Sequence, residues 1–405
     1  MNATKSLRMP NDANQKFKSE LENELREILR YWKSNTLDES NGGFYGRRDF
    51  KNKLIPKADK GIILNTRLLW AFSAAGKFNK DESLKVYADR AYEYLKDHFQ
   101  DPSHNGLYWE LDYTGKPKNT RKQIYAQAFG IYALSEYYRL SGTEEAKDWA
   151  LSLFDLVETR ARDQKNNGYL EAFQNDWSPI TDVRLSEKED NSAKTMNTHL
   201  HILEAYTTLA QISKNTKVLE ALENLIVLFL NRFYDETSQH FHLFFDENWH
   251  RTKAIVSYGH DIEAIWLLTE ACKAVANPKL LLETKSISVA VAKTFLKQAY
   301  IPKSGIINEV DLDTGNVDTD RHWWAQMEAL VGLQYAYEFS GDIQFRNAQL
   351  DIWNYTKKHF IDSKYGEWHF RLNENQEPYT TEDKVSMWKA PYHNSRACMV
   401  LIKLI

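Results

Sequence analysis

Two kinds of helical pattern alternate along the chain. In one kind, apolar residues recur three or four positions apart among charged ones, as at Leu21, Leu25 and Ile28, which predicts amphipathic helices. In the other kind, small and apolar residues run almost without interruption, which is typical of buried helices. The amphipathic segments are 15–33, 82–99, 144–162, 217–234, 279–299 and 343–360. The apolar segments are 67–76, 126–142, 199–213, 260–272, 325–341 and 396–405.

A short stretch with a glycine or a turn next to aromatic or apolar residues separates the two segments of each pair. It recurs at 41–46, 105–109, 167–170, 240–243, 305–308 and 366–369. The repeating unit is therefore an amphipathic helix, a hairpin and an apolar helix. Gly142 and Gly341 follow apolar segments and predict helix C-termini, because glycine ends a helix at little cost.

Six such helix pairs can close into a ring around the apolar helices, or stack into an open solenoid. The last segment is an apolar helix with no polar capping repeat, which favours the ring. No linker rich in Pro, Gly or Ser interrupts the chain, so we expect one catalytic domain over residues 1–405. The predicted fold is all-α, an (α/α)6 barrel of six outer and six inner helices with short β-hairpins at one rim.

Composition and charge exclude several classes of protein. The 405 residues carry 52 Lys and Arg against 56 Asp and Glu, and no basic block indicates a nucleic-acid partner. Cys272 and Cys398 lie in apolar runs and are expected to be buried thiols of a reducing compartment. The stretch 1–17 lacks the apolar core of a signal peptide, and no window reaches the roughly 18 apolar residues of a membrane span. We therefore expect a cytoplasmic monomer without a membrane partner.

In the predicted ring, every inner helix begins at the same rim, so residues near those N-termini should converge on one pocket. Polar groups in apolar helices cost desolvation energy unless they are paired, so a single histidine there would be explained as a hydrogen-bonded core residue. Several histidines at equivalent positions indicate a functional site instead. The residues are Asn65, Arg67, Tyr125, Gln127, Asn197, His199, His201, His260, Glu263, His322, Trp323, Trp324, Trp388, Tyr392, His393 and Arg396. The aromatic content of 13% suits a pocket for sugars, whose apolar faces stack on rings.

Metal and glycosidase chemistry fit these residues less well than proton transfer does. His199 and His201 point about 200° apart on a helix and do not share a ligand face. The sequence has no HExxH, cysteine-pair or EF-hand motif, so we predict no metal and no cofactor. A glycosidase needs two carboxylates that flank the scissile bond. Asp49, Glu263 and Glu328 are candidates, but histidine, tryptophan and arginine outnumber carboxylates at the rim.

Histidine, with an unperturbed pKa near 6.5, suits reversible proton abstraction at neutral pH. His260 and His393 on two sides of an opened sugar would remove the carbon-2 proton and return a proton to the opposite face. Arg67 would stabilise the oxyanion of the enediolate intermediate. Glu263 lies three residues after His260, where the two side chains share a helix face, and would orient the imidazole.

Five segments carry a resemblance to a known family. They are KGIILNTRLLWAFSAA at 60–75, MNTHLHILEAYT at 196–207, YGHDIEAIWLL at 258–268, RHWWAQMEAL at 321–330 and MWKAPYHNSR at 387–396. Together they resemble the cellobiose 2-epimerases of the N-acylglucosamine 2-epimerase superfamily. The resemblance implies an (α/α)6 barrel that interconverts glucose and mannose at the reducing end of β-1,4-linked disaccharides. Cellobiose would give glucosyl-mannose, and lactose would give epilactose.

The resemblance also implies the roles of individual residues. His260 and His393 would be the acid/base pair, and His201 would help to open the sugar ring. The substrate would be bound by Arg67, Tyr125, Asn197, Glu263, Trp323 and Trp388. The sequence leaves open whether Trp323 or Trp324 faces the pocket, and which of Glu187, Glu189 and Asp190 supplies an acidic loop contact. His199 is assigned to structure.

Two other activities stay open at this point. A monosaccharide 2-epimerase or an aldose–ketose isomerase would share the enediol intermediate and could use the same scaffold. A glycosidase or a non-catalytic sugar-binding protein is the further alternative.

Overall fold

Twelve α-helices form the framework of the part of the chain that the computed structural model describes, residues 11–186 and 190–405. The outer helices are α1 (Asn11–Asn35), α3 (Lys85–Tyr94), α5 (Glu144–Arg160), α7 (Thr216–Leu228), α9 (Pro278–Gln298) and α11 (Ile343–His359). The inner helices are α2 (Ile62–Asn79), α4 (Ile124–Ser141), α6 (Met196–Ser213), α8 (Tyr258–Val275), α10 (Trp323–Ser340) and α12 (Tyr392–Leu404). A 3-10 turn, Glu82–Leu84, precedes α3, and π-helical turns, Leu95–Phe99 and Phe229–Phe233, extend α3 and α7.

Very short strands connect these helices. They are Lys60–Gly61, Glu110–Leu111, Pro117–Asn119, Lys122–Gln123, Ala172–Phe173, Lys194–Thr195, Tyr234–Asp235, His240–Phe241, Phe244–Phe245, Arg251–Lys253, Ile255–Ser257, Glu309–Asp311, Val317–Asp318, Arg321–His322 and Arg371–Leu372. The first ten residues, part of the stretch that was expected to lack a signal peptide, lie outside the described residues, as do Glu187 and Glu189.

The difference between the two helix classes follows from the sequence pattern. Helix α2 is buried without a break from Ile62 to Gly76, whereas α1 buries a stripe that includes Leu21 and Leu25. Inner helices therefore contact protein on all sides, and outer helices contact it on one face. None of the helices in residues 11–186 and 190–405 combines the length and the apolar character that a membrane crossing requires.

Left-handed residues end five of the six inner helices. Gly142 and Gly341 occupy the C-cap positions with φ of 70° and 69°, which confirms these two predicted ends. Lys80, Lys214 and Ala276 take the same conformation at the ends of α2, α6 and α8. A side chain with a β-carbon adopts this region at some cost, so the sequence does not mark those ends.

Each glycine- or turn-containing repeat closes a small hairpin against the end of the preceding outer helix. Antiparallel bridges join Leu37 to Phe44, Gln100 to Leu107, Arg162 to Tyr169, Tyr234 to Phe241, Tyr300 to Ile306 and Ile361 to Trp368. These bridges turn the chain from an outer helix towards the rim, where the next inner helix begins.

Pairing between consecutive units closes the ring. The strand that leads into each inner helix pairs with the hairpin of the next unit, as Lys60–Gly61 does with Glu110–Leu111. The segment before the last inner helix pairs with the first unit instead, because Val385 forms an antiparallel bridge with Arg48. Helix α12 packs against both α10 and α2, which completes the inner circle. The closed (α/α)6 barrel is thus confirmed, and the open solenoid is excluded.

The two thiols lie where the sequence places them. Cys272 and Cys398 are both buried and unpaired, on α8 and α12. Burial raises the pKa of both, which keeps them protonated and unreactive at neutral pH.

Candidate active site

A cavity of about 580 Å³ opens at the rim formed by the N-termini of the inner helices. We call it the front cavity. All nine residues predicted for the site line it: Arg67, Tyr125, Asn197, His201, His260, Glu263, Trp323, Trp388 and His393. Further lining residues are Ser186, His322, Trp324, Phe370, Arg371, Glu382 and Ser386. Both Trp323 and Trp324 therefore reach the cavity, because its wall follows the first turn of α10 rather than one face of it.

A single tryptophan contacts both imidazoles of the predicted acid/base pair. The ring centroids of His260 and Trp324 are 4.9 Å apart, and those of His393 and Trp324 are 5.5 Å apart. Helices α8 and α12 thus bring the two histidines to one cavity, although α10 lies between them in the circle. The indole of Trp324 forms the shared wall.

Each of the three histidines that were predicted for the site is held by its Nδ1 atom. His393 Nδ1 lies 2.8 Å from Glu328 Oε1, His201 Nδ1 lies 3.0 Å from Glu204 Oε2, and His260 Nδ1 lies 2.8 Å from Ser257 Oγ. Within residues 11–186 and 190–405, the Nε2 atoms of these imidazoles have no hydrogen-bond partner. An ionised carboxylate only accepts, so Glu204, whose pKa is lowered to about 2, places the ring proton of His201 on Nδ1 and leaves Nε2 basic. Burial raises the pKa of Glu328, and its carboxylate imposes the same tautomer on His393 in the ionised form.

Burial keeps these imidazoles neutral. It lowers the pKa of His260 to about 3, with a further lowering by the charge of His201 and a partial offset by Glu328. Burial also lowers the pKa of His201, although Glu204 opposes it. The pKa of His393 falls well below its ordinary value through burial and the nearby charges of Arg67 and Arg396. Neutral imidazoles at pH 7 can accept a proton.

Arg396 joins the carboxylates beneath the cavity. Its Nη2 donates to Glu263 Oε1 at 2.5 Å and to Glu328 Oε1 at 2.7 Å, and its Nη1 donates to Glu204. Donor atoms of Glu263, Glu328 and His393 lie within 4.8 Å of one another, close enough to surround a cation. The guanidinium already supplies the positive charge at these oxygens, so the group fits an ion cluster better than a metal centre.

The three carboxylates of this cluster differ in pKa. Burial raises the pKa of Glu328, against the opposing effect of Arg396. Burial and the charge of Glu328 raise the pKa of Glu263 to about 8, against the opposing effect of Arg396. For Glu204, burial acts in the raising direction, but Arg396 and His201 outweigh it and hold its pKa at about 2. Glu263 is therefore protonated at neutral pH and can donate a hydrogen bond into the front cavity, which it lines.

Arg67 is fixed at the wall of the front cavity. Its Nη2 donates to Tyr125 Oη at 3.0 Å, and its Nη1 donates to the Trp388 carbonyl at 3.2 Å. The guanidinium carbon lies 4.6 Å from the ring centroid of Phe129 and 4.9 Å from that of Tyr392. Aromatic stacking and hydrogen bonds together hold a permanent cation at the edge of the cavity.

Comparison with known proteins assigns the chain to a family. Residues 43–397 match the N-acylglucosamine 2-epimerase (GlcNAc 2-epimerase) family. The chain belongs to this family. A cellobiose 2-epimerase of Bacteroides fragilis is 43% identical over 387 residues, which are 95% of this chain and 98% of that protein. One from Dictyoglomus turgidum is 37% identical over 96% of this chain and 99% of that protein.

A solved structure agrees with the sequence relatives. The structure of cellobiose 2-epimerase from Bacillus thermoamylovorans superimposes with a TM-score of 0.92 at 38% identity, over 96% of this chain and 100% of that one. The predicted family resemblance is confirmed, and so is the prediction of a carbohydrate epimerase, an isomerase.

His199 of this epimerase does not line the front cavity, in agreement with its assignment to structure. Its Nδ1 donates to the Thr195 carbonyl at 2.7 Å, and its Nε2 accepts from the Tyr169 backbone N–H at 2.9 Å. Both ring nitrogens are occupied, and burial lowers its pKa to about 3. The side chain ties the start of α6 to the preceding hairpin.

The carboxylates of the glycosidase alternative do not flank a common substrate position. Asp49 is a turn residue that accepts backbone N–H groups from Lys51 and Lys53 and does not line the front cavity of the epimerase. Glu263 and Glu328 bind the same nitrogen of Arg396, so they lie on one side of the site. A glycosidase pair must stand on two sides of the scissile bond.

The acidic loop contact stays unassigned. Asp190 bonds to Ser192 and, at 3.1 Å, to Thr252 and Lys253, so its carboxylate serves the loop itself. Glu187 and Glu189 lie outside the described residues.

Sequence reasoning missed two residues that orient the histidines. Ser257 holds His260 from the N-cap of α8, and Glu204 holds His201 from one turn further along α6. Glu204 follows His201 by three residues within an apolar helix, which is a signal in the sequence. The same spacing misled at Glu263, which was expected to orient His260 but binds Arg396 instead. Ser257 had no such signal, since serine is common at helix starts.

Proposed function

We propose that the chain catalyses the reversible 2-epimerisation of the reducing-end glucose of β-1,4-linked disaccharides such as cellobiose and lactose. The observation that carries this proposal is that His260 and His393 line one cavity, contact the same indole and each keep Nε2 without a partner among the described residues. The names of the relatives supply the substrate class.

In the proposed mechanism, the reducing sugar opens to its aldehyde, and His201 assists that step by hydrogen bonding through Nε2. One imidazole of the pair then takes the proton from carbon 2, which leaves an enediolate. The other imidazole gives a proton to the opposite face of carbon 2, and ring closure yields the epimer. Each proton transfer contributes on the order of 10² to 10⁴ in rate.

The hydrogen bonds at Nδ1 fit this exchange of roles. Glu328 fixes the proton of His393 on Nδ1, so its Nε2 presents a lone pair to the substrate. The Ser257 hydroxyl can donate or accept, so His260 can present Nε2 with or without a proton. Because the reaction is reversible, each imidazole serves as base in one direction and as acid in the other.

The electrostatics of the rim favour an anionic intermediate. The inner helices, α2 to α12, point their N-termini at this rim, where the helix dipole carries positive partial charge. Arg67 adds a full positive charge at the cavity wall, fixed by Tyr125. These fixed charges stabilise the oxygen of the enediolate without reorganisation.

Unsatisfied polar atoms on the cavity wall fit a hydroxyl-rich substrate. Arg67 Nε, Asn197 Oδ1 and Trp323 Nε1 are buried and have no hydrogen-bond partner among the described residues. These atoms expose almost no surface, and sugar hydroxyls, which both donate and accept, can satisfy them where the wall adjusts to a bound sugar. The faces of the sugar units would pack on Trp323 and Trp388, whose rings line the same cavity.

Solvent exchange tests the proposal directly. The protein is incubated in heavy water with cellobiose, lactose, mannose or N-acetylglucosamine, with and without a chelator. We expect deuterium at carbon 2 of the reducing unit of the disaccharides, formation of the mannose epimer, and no effect of the chelator. Accumulation of a ketose with deuterium at carbon 1 would identify an aldose–ketose isomerase instead. Release of monosaccharides from cellobiose would identify a glycosidase.

A further inference from the structure

A second cavity, of about 570 Å³, lies at the other end of the barrel. We call it the rear cavity. The C-terminal halves of α2, α4, α6, α8 and α12 enclose it, and its walls include Trp70, Tyr132, Glu204, Trp266 and Arg396. Its volume is in the range of small-molecule sites, about 300 to 1,000 Å³. The proposed epimerase mechanism makes no use of this space.

The walls of the rear cavity combine aromatic rings with unused hydrogen-bond donors. The rings of Trp70 and Tyr132 are 5.4 Å apart, and the indole of Trp266 forms a further wall. Trp70 Nε1 and Arg396 Nε are buried and have no acceptor among the described residues. Trp70 is 5% exposed and Arg396 is 2% exposed. Both donor atoms expose almost no surface, so a ligand hydroxyl would reach them through a small shift of the wall, which the cost of a buried donor without an acceptor favours.

The charges around the rear cavity select a neutral ligand. Glu136 pairs with Arg139 at 2.8 Å, and Glu270 pairs with Lys273 at 2.7 Å. Lys77 and Lys403 lie in the last turns of α2 and α12, where each cation offsets the negative end of a helix dipole. With cations and carboxylates already balanced, a charged ligand would leave an uncompensated charge. Stacking rings and unused donors fit a sugar or polyol.

Hydrogen bonds connect the rear cavity to the histidines of the front cavity, one to His201 and two in series to His393. Trp266 Nε1 donates to Glu328 Oε2 at 3.0 Å, and Glu328 holds His393. Glu204 lines the rear cavity and holds His201. Movement of the rear wall would therefore reposition both imidazoles.

We propose that the rear cavity is a second ligand site, which takes a neutral sugar or polyol, and that its occupancy changes turnover in the front cavity through Trp266 and Glu204. The turnover part rests on the proposed epimerase function, and the binding part does not.

Calorimetric titration with sorbitol and myo-inositol tests binding without any need for turnover. Wild type should bind at least one of them saturably, and gluconate, the anionic counterpart, should bind more weakly. Trp70→Phe removes the donor and should weaken binding about tenfold, the value of one good hydrogen bond. Ala74→Leu fills the cavity from α2 and should also weaken binding. Trp149→Phe, on the outer helix α5, is the matched control.

The outcomes separate the two cavities. Trp388→Ala changes the front cavity and should leave polyol binding intact. The site is overturned if neither polyol binds saturably. It is also overturned if binding is lost in Trp388→Ala but kept in Trp70→Phe and Ala74→Leu. Tighter binding of gluconate than of the polyols overturns the neutral class of ligand.

Kinetics test the coupling between the cavities. At saturating cellobiose, sorbitol should change kcat of wild type by at least twofold and leave that of Ala74→Leu unaltered. An unchanged wild-type kcat overturns the coupling. If cellobiose is not turned over at all, the epimerase proposal fails while the titration still decides binding.

Discussion

His393 and Glu328 face each other across the junction of α12 and α10, with His393 Nδ1 2.8 Å from Glu328 Oε1. Both side chains are buried, and Trp266 and Arg396 also bind the carboxylate. The pair thus fixes the orientation and the tautomer of an imidazole that the sequence alone identified. In the proposed mechanism Glu328 would act on the substrate only through His393, so it would be a positioning residue.

Replacing Glu328 by glutamine should lower kcat by about 10² to 10³, because the amide no longer imposes the Nδ1–H tautomer. KM should change little, since Glu328 does not line the front cavity. Steady-state kinetics over pH 5 to 9 would check this, with a shifted kcat profile as the mark of a changed imidazole. Glu338→Gln, an exposed change on the same helix, is the control. Wild-type kcat in Glu328→Gln would contradict the positioning role.

His260→Asn and His393→Asn should each abolish epimerisation while substrate still binds. Asparagine keeps a polar side chain near the position of Nδ1 but has no atom at the position of Nε2 to move a proton. Cellobiose affinity, measured by tryptophan fluorescence, should stay within about tenfold of wild type, because a lost neutral hydrogen bond costs about 1 kcal/mol. Measurable carbon-2 exchange in either variant would show that another group is the base.

His199 and His201 should respond in opposite ways. His199→Phe leaves the Thr195 carbonyl and the Tyr169 N–H without partners, so it should cost about 2–5 kcal/mol in the free energy of unfolding. Turnover per folded molecule should fall little. His201→Phe should instead reduce turnover at least 10²-fold, because ring opening loses its polar group. Urea unfolding and kcat of both variants, measured together, decide between these roles.

Glu263 should make the protein less stable as pH rises. Burial raises its pKa from an ordinary 4.5 to about 8, so the folded state holds this proton more tightly than the unfolded state does. Its contribution to stability is complete below pH 4.5 and is lost as pH rises towards 8, by up to about 1.4 kcal/mol per pH unit. In Glu263→Gln, the decline of the melting temperature over this window should be shallower. Glu236→Gln, on a surface turn, should keep the wild-type slope.

Arg67→Lys should lower kcat about 10²-fold with a smaller rise in KM. A lysine keeps the charge but cannot hydrogen-bond to Tyr125 and the Trp388 carbonyl while it faces the substrate. Tyr125→Phe removes one of these anchors and should have a milder effect, about tenfold. Equal kinetics for Arg67→Lys and wild type would show that only charge is needed at this position.

The repeating pattern predicted the architecture because both of its signals, the spacing of apolar residues in the helices and the hairpin between them, are local in the sequence. Helix class follows from apolar spacing, and each hairpin follows from a glycine or turn next to an aromatic or apolar residue. Helix ends at Lys80, Lys214 and Ala276 were not predicted, because tertiary packing imposes a left-handed conformation that these residues do not favour. Closure through Val385 and Arg48 pairs the two ends of the ring, and no local signal marks it.

The site was predictable only as far as the rim. Residues at the first turn of each inner helix share a position in the repeat, so Arg67, His201 and His260 could be grouped before any geometry was known. The buried ion pairs beneath these residues could not be predicted. Arg396 was placed at the rim, whereas it binds carboxylates from three other helices and lines the rear cavity instead. Which charged residues pair in the core depends on which helices face each other across the ring, and this is not encoded in any local pattern.

Closure of the ring has a consequence for how the protein unfolds. In a linear array of repeats the end units have one neighbour each, so unfolding starts there and proceeds inward. Here the first outer helix donates from Trp32 to Glu367 of the last hairpin, and every unit has two neighbours. No unit is a fraying end, so loss of any one opens the whole circle, and melting should be a single cooperative event.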